Sequence, residues 1–231
     1  MRVLVLAGGL GTRIRALFAD RPKSMIPFNG KPFLEHQIAL LARQGFRRFV
    51  LCVGFQAEQI MAHFGDGERL GVEIVYSQET TPLGTGGALR CAERFFDAAA
   101  LVINGDTYLA MDYQAMVTCH NQQPDVIGTI AVTEVEDAGQ SGQVILDSGR
   151  QIIAFREKSA DAGRGMVNAG VYVFEPRILD YIPAGEKVSL EREVFPALLD
   201  GAERLLGFPV NESFIDMGTQ EGYQRLKEIL R

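Results

Sequence analysis

Val3-Leu4-Val5-Leu6-Ala7-Gly8-Gly9-Leu10-Gly11-Thr12-Arg13-Ile14-Arg15 is the stretch whose reading sets the fold. A short apolar run enters a glycine-rich turn directly, the pattern of a buried strand feeding a loop. Three glycines within four positions let backbone N–H groups approach an anion with no Cβ in the way. Arg13 and Arg15 follow, and a guanidinium offers forked, charge-assisted hydrogen bonds to phosphate oxygens. Strand, glycine turn and arginines together suit a nucleoside triphosphate.

The spacing separates this loop from two others. A dinucleotide fingerprint, G-x-G-x-x-G, needs a third glycine where Arg13 or Ile14 stands. In G-x-x-x-x-G-K-[ST] the glycines lie further apart. A bare glycine turn is the alternative, and Arg21-Pro22-Lys23-Ser24-Met25 weighs against it. Between positions 13 and 23 stand Arg13, Arg15, Arg21 and Lys23 against the single acid Asp20. The whole chain carries a net charge of −6, so this local excess of cations points to an anionic ligand.

Outward from this turn, apolar runs alternate with helical segments. Strands are expected at Val3–Leu6, Arg48–Val53, Val72–Ser77 and Leu101–Ile103, with helices at Phe33–Arg43, Gln56–Phe64 and Ala88–Phe96. Such alternation predicts a parallel sheet wrapped by crossover helices, with ligands at the carboxyl ends of the strands. Gly8 and Asp106 both fall just past strand ends, so one cleft can hold both. The second half changes character: Val126–Thr133, Gly142–Leu146, Ile152–Arg156 and Met166–Phe174 read as strands between turns. Helices return at about Leu190–Leu199 and Gln220–Leu230. With no linker or repeat, residues 1–231 are expected to form one domain on one continuous sheet. The change of character near residue 110 would divide it into halves at 1–110 and 111–231.

With 231 residues, 47% of them apolar and 23% charged, the chain has the composition of an ordinary globular protein. No apolar run approaches the roughly eighteen residues that span a bilayer. The opening run is too short for a signal-peptide core. Cys52, Cys91 and Cys119 are odd in number and lack metal-ligand spacing, which predicts buried thiols in a reducing compartment. His36, His63 and His120 are scattered. The negative net charge argues against a nucleic-acid partner. The expectation is a cytoplasmic protein with neither membrane nor nucleic acid as partner; dimers are usual for such folds, but no exposed apolar helix face demands a homodimer.

The order of motifs carries a resemblance. Gly8-Gly9-Leu10-Gly11-Thr12-Arg13, Pro22-Lys23-Ser24-Met25-Ile26-Pro27 and Asn29-Gly30-Lys31-Pro32 are followed by Pro82-Leu83-Gly84-Thr85-Gly86-Gly87 and Asn104-Gly105-Asp106. Arg156-Glu157-Lys158, Asn168-Ala169-Gly170 and Phe214-Ile215-Asp216-Met217-Gly218 complete the series. The chain thereby resembles the sugar-1-phosphate nucleotidylyltransferases, and among them the D-glycero-α-D-manno-heptose-1-phosphate guanylyltransferases. Arg15-Ala16-Leu17, where hexose enzymes more often carry Arg-Pro-Leu-Thr, is similar to the heptose subgroup. Ser24 departs from the usual proline. No C-terminal hexapeptide repeat follows, and no allosteric appendage is visible, so neither is expected.

The resemblance implies an α/β, Rossmann-like three-layer sandwich with a mainly parallel mixed sheet, as in GT-A-like nucleotide-diphospho-sugar transferases, with residues 1–110 as the nucleotide-binding half and 111–231 as the sugar-binding half. It implies transfer of a nucleotidyl group from an NTP, with GTP expected, to a sugar 1-phosphate, with pyrophosphate released. The rival substrates are mannose 1-phosphate and the uridylyl, thymidylyl or cytidylyl donors. A sugar 1-phosphate is already ionised at neutral pH, so cations and metal ligands matter more than a general base. By carry-over, Arg13 would hold the β,γ-phosphates and Lys23 the α-phosphate. Leu6, Ala7, Gly8, Gly9, Gly11, Thr12, Gly84, Thr85 and Asp106 would complete the nucleotide site. Gln78 and Glu79 stand where the base edge would lie. Thr85 could instead cap the following helix.

Asp106 and Asp216, each after an apolar run, would hold Mg²⁺, which favours hard oxygen ligands. Glu157, Lys158, Asn168 and Gly170 would take the sugar phosphate, Gly170 allowing the pyranose close approach; an ion pair across strands is the alternative for Glu157 and Lys158. Two readings from other classes stand beside this one. A silent nucleotide-sugar-binding regulator is disfavoured by the presence of Arg13, Lys23, Asp106 and Asp216. A dinucleotide oxidoreductase is disfavoured by the missing third glycine.

Overall fold

Alternate residues of the central strands face two different hydrophobic layers, which makes the sheet the middle of a sandwich. Val3 and Val5 of β1 (Arg2–Leu6) point into one core, and Leu4 points into the other. The same alternation separates Leu101 and Ile103 from Ala100 and Val102 in β6 (Ala100–Asn104). This is the period-two rule for a strand buried on both faces. The computed structural model describes residues 1–9, 21–138, 142–156, 163–212 and 214–230.

A short hairpin of β2 (Pro27–Phe28) and β3 (Lys31–Pro32) leads into α1 (Phe33–Arg43). Then come β4 (Arg48–Val53), α2 (Ala57–Phe64), β5 (Glu73–Gln78) and α3 (Gly84–Cys91), ahead of β6. β7 (Thr107–Tyr108), α4 (Tyr113–Asn121), β8 (Val126–Val135), β9 (Gln143–Leu146), β10 (Ile152–Arg156) and β11 (Gly165–Phe174) follow. The chain closes with α5 (Phe195–Asp200), β12 (Arg204–Val210), β13 (Ile215–Asp216) and α6 (Gln220–Ile229). Seven strands form one sheet in the order β12-β8-β11-β6-β1-β4-β5. Within it β11 alone runs against the others, so the sheet is mixed and mainly parallel.

The chain moves outward from β1 through β4 to β5, then returns to lay β6 on the other side of β1. Ligands of open α/β sheets bind at such a reversal, beyond the carboxyl ends of the strands. Here those ends are Leu6 and Asn104, paired in register.

Several elements depart from the expected ones for physical reasons. The helix expected from Ala88 begins at Gly84, inside the glycine motif, and a separate 3₁₀ turn covers Glu93–Phe95. α4 breaks no strand pattern, but the Asp112 carboxylate caps it by accepting from Ala115 N at 2.9 Å. β12 contains Pro209, which reads against a strand; its place at the sheet edge tolerates the missing donor. Only Cys52 of the three free cysteines is buried; Cys91 is exposed and Cys119 intermediate. Among the described residues no helix is long and apolar enough to cross a membrane.

Candidate active site

A third, smaller core gathers the chemistry. Ile26, Phe28 and Phe33 pack with Tyr108, Ile215, Met217, Leu226 and Leu230. This docks the C-terminal α6 and β13 against the hairpin that follows Lys23. β13 pairs antiparallel with β7, placing Asp216 opposite Thr107, and Met217 N donates to the Asp106 carbonyl at 2.9 Å. Three residues far apart in sequence therefore meet: Lys23 Nζ donates to Asp106 Oδ2 at 2.7 Å and to Asp216 Oδ1 at 3.4 Å. The lysine side chain is only 9% exposed, so its charge is held by these two carboxylates rather than by water. Gly218 leaves room for the arrangement, because a Cβ there would collide with Lys23 Nζ; its N–H donates to Asp216 Oδ1 at 2.6 Å.

Two cavities adjoin at this cluster. The first, about 380 Å³, lies over the carboxyl ends of β1 and β6. Its walls include Leu6, Ala7, Gly8, Gly9, Lys23, Gly84, Thr85 and Asp106, all expected at the nucleotide site, together with Ser24, Glu79 and Lys187. The second, about 340 Å³, is lined by Asn168, Gly170 and Asp216 from the expected set, and by Arg156, Glu191 and Arg192. Asn104 and Asp106 belong to both walls. Gly11, Thr12, Arg13, Glu157 and Lys158 lie outside the described residues.

The wall of the first cavity has a defined polarity. Glu79 Oε2 accepts from Leu83 N at 3.2 Å, while Oε1 lies where a Cβ on Gly8 would come within 2.6 Å. Gly8 is thus small in order to admit this carboxylate. Burial raises the Glu79 pKa, partly offset by the Leu83 N–H. Ser24 Oγ and Asn104 Oδ1 are buried in the same wall without a hydrogen-bond partner among the described residues. Buried polar atoms are rarely left so, and a polar ligand would satisfy them.

Some expectations change in detail. Gln78 does not line the first cavity, whereas Glu79 does. Thr85 does not cap α3: its hydroxyl donates to Glu191 Oε2 at 2.8 Å and accepts from Leu190 N at 2.8 Å. Gly170 has φ +71°, and its missing Cβ would meet Thr107 Oγ1 at 2.8 Å. Backbone conformation and packing on Thr107 therefore require this glycine, independently of any sugar ring.

Arg156, Arg192, Glu191 and Lys187 had no role in the sequence reading. Arg156 stood inside a quoted motif and could have been found there; the other three sit on a loop and a π turn with no local signal. The histidines go to the scaffold: His36 contacts the Phe28 carbonyl, His63 contacts Glu35, and His120 contacts Thr129.

Comparison with known proteins agrees with this geometry. The nucleotidyl transferase family model matches residues 2–231. The mannose-1-phosphate guanylyltransferase of Mycobacterium tuberculosis is 40% identical over 225 residues, 96% of this chain and 62% of that protein. The D-glycero-alpha-D-manno-heptose 1-phosphate guanylyltransferase of Campylobacter jejuni is 34% identical over 223 residues, 96% of this chain and 97% of that one. The crystal structure of HddC from Yersinia pseudotuberculosis complexed with GMP-PN is similar at a TM-score of 0.87 and 30% identity, covering 100% of this chain and 99% of that one. The chain spans 60 to 63% of the length of four curated relatives, the mycobacterial protein among them. With the motifs, the sheet order and these matches in agreement, the chain belongs to the nucleotidyl transferase family.

Proposed function

We propose that this chain transfers a guanylyl group from GTP to D-glycero-α-D-manno-heptose 1-phosphate, giving GDP-heptose and pyrophosphate. One observation carries the transfer: two adjoining cavities share Asp106, and Lys23 stands at their junction between Asp106 and Asp216. A triphosphate in the first and a phosphorylated sugar in the second would meet at that cluster. The sugar phosphate oxygen forms a bond to the α-phosphorus, and the bond from that phosphorus to the β-phosphate bridging oxygen breaks. No proton needs to be removed, so the protein's task is alignment and charge neutralisation. Lys23 serves the α-phosphate, and Arg13 the leaving pyrophosphate. Arg156 and Arg192 bring positive charge to the second cavity, in addition to the sugar-phosphate role expected of Lys158.

Asp106 and Asp216 supply hard oxygen donors, a set that fits Mg²⁺; Lys23 Nζ takes the space between them in this structure, so the two carboxylates would hold the ion with the lysine turned to the α-phosphate. When bound there, the ion would offset phosphate charge.

Glu79 supports guanine. The Watson–Crick edge of guanine presents N1–H and N2–H donors side by side, which a carboxylate accepts. Uracil and thymine present a single N–H between carbonyl oxygens that a carboxylate repels. Both named guanylyltransferase relatives agree with that choice. For the sugar, Arg15-Ala16-Leu17 favours heptose, whereas the 40% identity to the mycobacterial protein favours mannose 1-phosphate as the second reading. Crossing GTP, UTP, dTTP and CTP with both sugar phosphates, and measuring pyrophosphate, tests each part. Highest kcat/KM for GTP with the heptose is expected; a higher value with mannose 1-phosphate selects the second reading.

A further inference from the structure

Segment 188–191 is fastened to the first cavity and reaches the second. Val188 O accepts from Gly86 N at 2.9 Å, and Val188 N donates to Leu83 O at 2.8 Å. Three residues on, Glu191 lies in the π-helical turn Leu190–Val194, a rare local winding that recurs at functional sites. Its carboxylate takes three hydroxyl donors. Oε2 accepts from Thr85 at 2.8 Å and from Ser189 at 2.9 Å, and Oε1 accepts from Tyr172 at 3.3 Å. The Tyr172 hydroxyl accepts in turn from Asn168 Nδ2 at 2.9 Å, and Asn168 Oδ1 accepts from Gly170 N at 2.8 Å.

Thr85 lines the first cavity; Asn168 and Gly170 line the second. One unbroken hydrogen-bonded path therefore joins the two walls through a single carboxylate. Tyr172 is fully buried and stacked on Phe174 with ring centroids 5.1 Å apart, so this link has little freedom to re-form elsewhere.

We infer that Glu191 is a positioning residue that couples filling of the nucleotide cavity to filling of the sugar cavity, an inference resting on the two-substrate reading above. A displacement of Thr85 by bound nucleotide moves the acceptor shared with Tyr172, and Asn168 is reset for the sugar. Coupling of this kind is a reciprocal change in affinity.

The test titrates the non-reactive α,β-methylene analogue of GTP into the full chain by calorimetry, with and without saturating heptose 1-phosphate, in Mg²⁺. Glu191→Gln replaces one acceptor oxygen with a donor at constant shape. Tyr172→Phe removes only the sugar-side link and keeps the stacked ring. In the wild type the sugar phosphate is expected to tighten the analogue about fivefold or more. In both variants that ratio is expected to fall to about one; in Tyr172→Phe, a residue that lines neither cavity, affinity for the analogue alone is expected to change less than about threefold. A ratio preserved in either variant that folds, including one in which both ligands weaken equally, overturns the inference and marks a structural residue. Independent binding of both ligands by the wild type overturns it too, and leaves the two-substrate reading standing. Failure of the wild type to bind the analogue at all overturns both.

Discussion

The two cavities differ in how they are made. The first takes its floor from the ends of β1 and β6 and from the loop and first turn of α3, short stretches largely defined by glycine and backbone. The second takes side chains from β9, β10, β11, the π turn and β13, brought together by an antiparallel strand and a C-terminal return. Local sequence pattern dictates a strand end followed by a glycine turn. It does not dictate which remote side chains converge. Lys23, Asp106 and Asp216 mark the seam, and substitutions there should affect both cavities at once.

The largest effects are expected at that seam. Asp106→Ala and Asp216→Ala should each abolish Mg²⁺-dependent turnover, read as pyrophosphate release, while the circular dichroism spectrum is kept; near-normal turnover removes that residue from the proposed metal site. Lys23→Ala should lower kcat by about 10² to 10³, close to 3 kcal/mol, the usual loss for one charge-stabilising donor. It also leaves two carboxylates facing each other, so a modest fall in melting temperature is expected beside the loss of rate.

A cluster that lines neither cavity gives a stability test of similar size that should spare chemistry. Glu35 on α1 is buried and pairs with His63, Arg69 and Lys31. Burial alone would raise its pKa, but these partners outweigh it and hold the carboxyl at about 2, below the ordinary 4.5. A depressed carboxyl pKa contributes stability that is complete above 4.5 and lost as pH falls toward 2. Glu35→Gln should therefore cost about 3 kcal/mol at neutral pH, measured by urea unfolding, with the difference from wild type shrinking below pH 4.5. A constant difference across that window removes the ionised pair as the cause.

Glu79→Gln separates the cavities more finely. It should lower kcat/KM for GTP by about 10- to 100-fold, the worth of a hydrogen bond to a charged acceptor, and leave the KM of the sugar phosphate unchanged. Because burial raises the Glu79 pKa, wild-type affinity for GTP should begin to weaken on acidification above pH 4.5, and affinity for UTP should not. Equal pH dependence for the two nucleotides excludes Glu79 from base selection. The smallest effect is expected at Asn168→Ala: about tenfold on the KM of the sugar phosphate, with a lesser rise in the KM of GTP because Asn168 ends the path through Glu191; an unmoved KM for GTP would contradict that path.

What could be read from the chain follows the same division. Phe33–Arg43, Arg48–Val53 and Ile152–Arg156 stand in the structure as the sequence predicts, because apolar period and flanking turns agree there. α4 escaped because its start depends on an aspartate cap rather than on a strong apolar stripe, and β12 escaped because Pro209 is tolerated at its sheet edge and Gly207 makes room for Leu146. The first cavity could be drawn from Leu6 to Gly9 and Gly84 to Thr85. In the second, Glu191 and Arg192 had no local pattern to announce them; the π turn that presents them is a tertiary outcome.

The most direct measurement is ³¹P NMR of the full chain with Mg²⁺, GTP and D-glycero-α-D-manno-heptose 1-phosphate, extended to the other nucleotide and sugar phosphate pairs. Growth of paired diphosphate resonances from GDP-heptose, in step with pyrophosphate, is the expected result. Spectra that show no sugar-linked diphosphate for any pair would contradict the account.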